Sequence, residues 1–340
     1  MLEKLRAFAD MGRTQGVTTS GTILLCGALT STAALQWYHI IYFTILIGFS
    51  HMALNVHIAL GDTVLDSNTY VPSRNPVTEG TLTLKEAQNF VYITTLISLL
   101  MIFALYFFLD FKYFLLTLAC FPPSYLSLVW YGSGGKRYLL SYDYSFSVSY
   151  SFTVLFGAFA IGGLPTYYTW VFIGIVIFAP TAFAQWENGF KDVDADRSVG
   201  VRSLAAVSGI RNNRKIPVSH PYFLYGVTLK VFFVLFCFLA YLDFRNIYFL
   251  AFLLIYGIPS QVYIMYRFAT KELAIDHRRT ILLDVTLAAI LGFTALVGNI
   301  GVWWLLFLVV YLIGGYLVGS AMQSNCEFKF GRFAKPDPDV

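Results

Sequence analysis

Asp62-Thr63-Val64-Leu65-Asp66 and, about 130 residues later, Asp192-Val193-Asp194-Ala195-Asp196 each set two carboxylates four residues apart. On a helix that spacing stacks both carboxylates on one face. Each cluster follows an apolar segment long enough to cross a bilayer, so two such helix ends facing each other would form a cage of hard oxygen ligands. Such a cage suits Mg²⁺ carrying a diphosphate.

The second cluster lies in a dense charged stretch from Trp186 to Leu204, with carboxylates at Glu187, Asp192, Asp194 and Asp196, an amide at Asn188 and cations at Lys191, Arg197 and Arg202. Asp192 and Asp196 are the expected Mg²⁺ ligands. Lys191, Arg197 and Arg202 can neutralise phosphate oxygens that the metal leaves uncovered. A charged interfacial turn is the plain alternative, but this crowding at a membrane border exceeds what a solvated loop needs. A third segment, Tyr131-Gly132-Ser133-Gly134-Gly135-Lys136-Arg137, would let backbone approach an anion at its glycines while Lys136 and Arg137 supply charge. Topological anchoring of a membrane helix would equally produce such a basic pair.

The elements that must position these groups are membrane spans. The 340 residues are 57% hydrophobic and 12% charged, aromatic residues make up 18%, and mean hydropathy is +0.66. These values exclude an ordinary soluble domain. At 1.5 Å per residue a span needs about 20 apolar residues. Ten candidates fall at roughly 17–35, 37–60, 84–109, 112–131, 147–163, 166–187, 219–242, 245–267, 279–298 and 301–322. Lys and Arg then gather in alternate connections, which the positive-inside rule explains and which leaves no reason to invoke a nucleic-acid partner for the net charge of +4. The alternation puts both termini and both acidic clusters in the cytoplasm, with long connections at about 61–83 and 188–218. The far-side connections are short, as at Gly162-Gly163-Leu164-Pro165. No cleavable leader pattern follows the charged N-terminus. Every candidate linker is part of a proposed site, so residues 1–340 read as a single integral-membrane domain, with 301–322 as an extra C-terminal span.

Several residues outside the clusters merit a reading. Cys26, Cys120, Cys237 and Cys326 stand far apart without ligand spacing and read as small buried hydrophobes. His51 and His57 read as hydrogen-bonded rather than metal-bound, since Mg²⁺ prefers oxygen. Lys230 and Asp284 lie inside apolar spans, where ionisable groups are costly. Asp284 is expected to pair at the interface with Arg278 or Arg279, and Lys230 to relieve part of its cost by snorkelling. Gly314, Gly315 and Gly319 read as helix packing. The many aromatic rings suit interfacial belts, and those that line a cavity would also stabilise an allylic cation.

The second cluster resembles the second aspartate-rich motif of the UbiA superfamily of intramembrane prenyltransferases: D-x-x-x-D, then Arg, a Gly three residues further on, and a basic-Thr/Ser-Leu step. Asp192, Asp196, Arg197, Gly200, Arg202, Ser203 and Leu204 fit that pattern. The family's first motif, N-D-x-x-D-x-x-x-D, retains here its last two acidic positions, Asp62 and Asp66. Ile58-Ala59 stands where the opening N-D would fall, and Asn55 lies slightly earlier. Arg74-Asn75-Pro76-Val77-Thr78-Glu79-Gly80-Thr81-Leu82-Thr83 is similar to the family's basic-Pro-x-x-x-Gly-x-x-Ser/Thr segment. The resemblance covers about residues 13 to 300.

The resemblance implies an all-α, polytopic membrane helical bundle of nine to ten transmembrane helices around a central cavity with a lateral opening to lipid. It implies a Mg²⁺-dependent prenyltransferase, which ionises an allylic isoprenyl diphosphate and transfers the prenyl group to a lipophilic acceptor. In that scheme Asp62, Asp66, Asp192 and Asp196 are catalytic and bind Mg²⁺. Asn55, Arg74, Lys136, Arg137, Asn188, Lys191, Arg197 and Arg202 bind the diphosphate. The degenerate first motif and the tenth span mark a divergent branch. A UbiA-type membrane terpene cyclase, which needs the same diphosphate site and no acceptor, is the alternative. A non-catalytic transporter or lipid-binding relative is a third reading, favoured by Lys230 and disfavoured by carboxylates at the border rather than the midplane. Acceptor, prenyl chain length and oligomeric state stay open.

Overall fold

Long apolar runs in a bilayer must pair their backbone N–H and C=O groups within the segment, and here they do so as helices. The computed structural model describes residues 2–63, 75–138, 141–198, 200–211, 214–272 and 274–323. Asp66, Arg74 and Cys326 lie outside them. A short helix α1 (Leu2–Met11) precedes α2 (Val17–Leu29), α3 (Trp37–Gly61), α4 (Leu84–Ala104), α5 (Phe111–Gly132) and α6 (Ser141–Phe159). Then follow α7 (Tyr167–Lys191), two short helices α8 (Val193–Ser198) and α9 (Leu204–Ser208), and the long α10 (Pro221–Phe244), α11 (Ile247–Thr270) and α12 (Ala274–Ala321).

Seven helices among the described residues are long and apolar enough to cross a membrane. Four of the expected spans differ for physical reasons. The one at 17–35 forms a helix of only 13 residues, about 20 Å long, buried against its neighbours rather than facing lipid along its length. The one at 147–163 begins earlier, at Ser141, and carries serines and tyrosines that lower its hydropathy. The last two run as one helix with a break at Gly301, whose φ of 79° and ψ of 162° interrupt the helical backbone. Large apolar side chains such as Tyr92, Phe107, Trp303 and Val310 are exposed on the outside of the bundle, the surface that lipid covers.

Helix crossings are set by glycine. A Cβ at Gly27 would stand 2.0 Å from the Val154 carbonyl oxygen, and one at Gly157 2.1 Å from that of Leu24, so α2 and α6 touch backbone to backbone. The same contact joins α3 to α5, where a Cβ at Gly61 would meet the Gly132 oxygen at 1.9 Å. Of the three glycines of the last helix, Gly315 and Gly319 pack against Thr18 and Thr14, whereas Gly314 faces open space. A capping box between Thr83 and Glu86 starts α4, and an ion pair from Lys4 to Glu86 ties α1 to it. Cys26, Cys120 and Cys237 are buried and free, as their placement in apolar runs predicts.

Candidate active site

Asp62 is the residue that ends α3, its amide still bonded to the Ile58 oxygen at 3.0 Å. The Gly61–Gly132 contact brings the end of α5 beside it. There the chain turns through Gly134, whose φ of 109° only glycine adopts easily, into a tight 3₁₀ turn at Gly135–Arg137. This delivers Lys136 into an ion pair with Asp62, and its ammonium lies 4.6 Å from the centre of the Tyr131 ring.

The second cluster arrives from the other half of the chain. α7 runs through a π-helical turn at Thr181–Glu187 and ends at Lys191 with Asp192 as its cap, so Val193–Ser198 forms a separate short helix rather than one continuous helix end. Asp196 is 4% exposed. Gly200, with φ of 78°, terminates α8: the Val201 amide bonds the Asp196 oxygen at 2.9 Å and the Gly200 amide that of Arg197 at 3.3 Å. The next amide, Arg202 N–H, donates to the Lys136 oxygen at 3.0 Å. That bond joins the two clusters through their backbones, and Val201 packs among Leu54, Ile58, Tyr125 and Tyr131.

Burial, with Asp192 and Asp62 beside it, pushes the Asp196 carboxyl up to about 7, against the opposing pull of Lys136 and Lys191. One of its oxygens, Oδ2, is buried with no hydrogen-bond partner among the described residues. A buried carboxylate oxygen without a partner, beside two further carboxylates, has the chemistry to accept a cation. Among the described residues no three carboxylates lie close enough to hold an ion by themselves. The preformed cage of oxygen ligands that the paired spacing suggests is therefore not present among the described residues. Asp62, Asp192 and Asp196 are the described residues able to serve as Mg²⁺ ligands.

The other expected site residues divide. Lys191 pairs with Asp192 at 3.2 Å, and the Arg202 side chain is exposed beside the cluster. Arg197 turns away: its guanidinium donates to the oxygens of Ala206 at 3.0 Å and Ile210 at 3.0 Å, and pairs with Asp194 at 3.5 Å. It clasps the 197–210 loop. Asn188 donates to the Phe183 oxygen at 3.1 Å inside the π-turned segment. Arg137 parts from Lys136 and lines a separate recess of about 460 Å³ with His57, Gln88 and Tyr92. Asn55 donates to the His51 oxygen at 2.9 Å and lines the internal cavity.

That cavity, about 270 Å³, lies between α2, α3, α5 and α6. Its lining is mixed: Leu24, Phe121, Leu128 and Phe156 are apolar, and Arg13, Gln15, Ser20, His51 and Asn55 are polar. His51 bonds Ser20 at 2.9 Å and the Arg13 oxygen at 3.2 Å, and His57 bonds Ser133 at 2.9 Å and the Val129 oxygen at 3.1 Å. Both histidines are hydrogen-bonded, as expected.

The expected pairing of Asp284 with an interfacial arginine is corrected. Asp284 and Glu187, both fully buried, meet Lys230, which reaches Glu187 at 3.0 Å and also pairs with Asp284. Lys230 is satisfied by two carboxylates, so it does not need to snorkel. Lys230 and Asp284 were visible as charges in apolar runs. Their partnership with Glu187 joins three helices far apart in sequence, and spacing carries no signal of that.

The UbiA prenyltransferase family model matches residues 19–275. Among solved structures, that of a digeranylgeranylglyceryl phosphate synthase superposes with a TM-score of 0.64 at 18% identity, covering 88% of this chain and all of that one. A UbiA homologue from Archaeoglobus fulgidus bound to GPP and Mg²⁺ gives 0.61 at 14% identity over 87% of this chain and 100% of that one. The apo structure of a UbiA homologue from Aeropyrum pernix K1 gives 0.59 at 17% over 84% and 98%. No curated protein matches by sequence.

Proposed function

This chain belongs to the UbiA prenyltransferase family, and from that premise we propose that it ionises an allylic isoprenyl diphosphate with Mg²⁺ and transfers the prenyl group to a lipophilic acceptor. The observation that carries the reading is the Asp62–Lys136 pair held against Asp192 and Asp196 by the Arg202-to-Lys136 backbone bond, beside a partly aromatic cavity. The relatives bound to GPP or DMAPP with Mg²⁺ support it at the level of the family.

In this reading Asp62, Asp192 and Asp196 hold Mg²⁺, with Asp66 completing the first motif. When bound, the metal withdraws charge from the diphosphate as its bond to the allylic carbon weakens. Lys136 moves from Asp62 to the diphosphate, whose charge grows in the transition state, and Lys191 and Arg202 add positive charge around it, while Arg137 stays in its own recess. Arg74 belongs to the same proposed set. Asn55, Asn188 and Arg197 act from behind, through the carbonyl groups they hold. Tyr125, Tyr150 and Phe121 line the cavity, where aromatic rings would suit an allylic cation. The acidic end faces the cytoplasm under the positive-inside rule, and the chain acts as one domain.

Transfer is favoured over cyclisation by the polar groups in the cavity lining. Gln15, Ser20, His51 and Asn55 would quench a free cation, and together with Arg13 they suit the head group of an acceptor. The test is diphosphate release by purified protein in nanodiscs with Mg²⁺ and geranylgeranyl diphosphate, without and then with a panel of acceptors, the lipid products being identified by mass. Release that requires an acceptor upholds transfer; a cyclic hydrocarbon formed without one upholds the cyclase; no release in either condition overturns both.

A further inference from the structure

The charged triad of Glu187, Lys230 and Asp284 lies in the membrane-embedded core, on α7, α10 and α12. Its carboxylates are fully buried and Lys230 is 4% exposed, so it neither lines the cavity nor touches the aspartate clusters. Intramembrane charge is costly enough to require a use.

Its place on α7 suggests one. Glu187 is the last residue of the π-helical turn Thr181–Glu187, and Asn188, Lys191 and Asp192 follow directly. A π turn holds an extra residue. Were it to relax to α geometry, everything downstream would rotate by about 100°, one residue's worth of helix, and Asp192 would leave its face. Two sets of contacts hold the observed register. Trp186 Nε1 donates to the Tyr222 oxygen at 2.9 Å while the Tyr222 hydroxyl donates back to the Trp186 oxygen, and Glu187 meets Lys230. The neighbouring Gln185 gains nothing from this register, for its amide is 1% exposed and neither end has a hydrogen-bond partner among the described residues. The Glu187 oxygens make no hydrogen bond among the described residues either and rely on the ion pair with Lys230 at 3.0 Å; breaking that pair would strand a buried charge, which costs more than an unpaired amide, so the Lys230 contact and not Gln185 bears on the register.

We infer that Lys230, braced by Asp284, is a positioning residue that fixes the register of α7 through Glu187 and thereby sets Asp192 and Asp196 against Asp62. The inference rests on the proposed diphosphate site for its consequence and not for its structural content.

Lys230→Met alone strands two buried carboxylates and risks loss of the fold. The test therefore uses the apolar triple variant Glu187→Leu, Lys230→Met, Asp284→Leu, since buried ionic triads are often replaced by apolar side chains without loss of stability. In nanodiscs, amide exchange across 188–198 is expected to accelerate at least tenfold while that across 50–62 stays unchanged. With Mg²⁺ and geranylgeranyl diphosphate as probes, half-saturating Mg²⁺ and KM are expected to rise about tenfold, kcat falling less. A triple variant with wild-type exchange and wild-type Mg²⁺ dependence overturns the inference. If the wild type releases no diphosphate, the proposed function has failed, and the exchange measurement still decides the register.

Discussion

Lys136 reaches from the turn after α5 to pair with Asp62 at the end of α3, its ammonium resting on the face of Tyr131. A lysine placed this way keeps its charge at the site by two attractions that a diphosphate can outbid. Both side chains are largely buried, which strengthens the pair relative to a surface contact.

Lys136→Met should therefore leave Asp62 without its cation and raise KM for the isoprenyl diphosphate by about 10–100-fold, the range seen when an outer partner of a metal ligand is removed. Lys136→Arg should recover part of the loss. Asp62→Ala and Asp192→Ala should each abolish Mg²⁺-dependent diphosphate release, and unchanged turnover in either would sink the assignment.

Asp196 predicts a pH dependence. Its folded-state value is raised to about 7 from an ordinary 3.8, so the folded protein keeps a proton that the unfolded chain has released. The stability this contributes is present below pH 4 and is lost as pH rises towards 7, by up to a few kcal/mol. Mg²⁺ requires the carboxylate form, so its binding should strengthen over the same interval. Thermal unfolding in nanodiscs should show a larger Mg²⁺-induced rise in Tm at pH 8 than at pH 5.5, and Asp196→Asn should flatten both trends.

Gly61→Ala should damage the site without touching a charged group. The new Cβ would meet the Gly132 oxygen at 1.9 Å and push α3 from α5 where Asp62 and Lys136 join. Overpacking of this kind costs about 1–3 kcal/mol. Gly48→Ala on the same helix faces open space and should be neutral or slightly stabilising. Equal effects of the two in a melting assay would contradict the crossing described.

Arg197 tests whether a basic residue of the motif binds substrate or holds the loop. Its fork spans two carbonyl oxygens, which a lysine cannot reproduce. Arg197→Lys should thus behave like Arg197→Ala, lowering Tm and loosening the 200–210 amides. Recovery of KM by lysine would instead indicate a charge contact with diphosphate.

Arg13 should report the acceptor. It lines the cavity, and Arg13→Gln should raise KM for the acceptor while leaving KM for the isoprenyl diphosphate within about twofold.

Much of this was legible in the chain. Asp192, Asp196 and the Gly200 turn are local features, and the turn's two hydrogen bonds follow directly from where glycine stands. The spans were legible wherever lipid sets their composition and misjudged where protein does: α2 is buried on most sides and needs no full membrane length. Lys136 and Arg137 are adjacent in sequence yet face different recesses, because the 3₁₀ turn separates their side chains. The Glu187–Lys230–Asp284 contact was illegible because partners from three helices leave no spacing to read. Asp66 and Arg74, the remaining first-motif expectations, lie outside the described residues.

The backbone contact of α2 with α6 at Gly27 and Gly157 bears on how sequence variation in this protein should be interpreted. These positions carry no functional group, yet any side chain there would collide with a carbonyl oxygen at about 2 Å. A saturation mutagenesis screen scored by activity would rank them with the aspartates. Sorting its hits by whether a residue one methyl larger is tolerated would separate the architecture from the chemistry, since an aspartate fails for its charge and these glycines fail for their size.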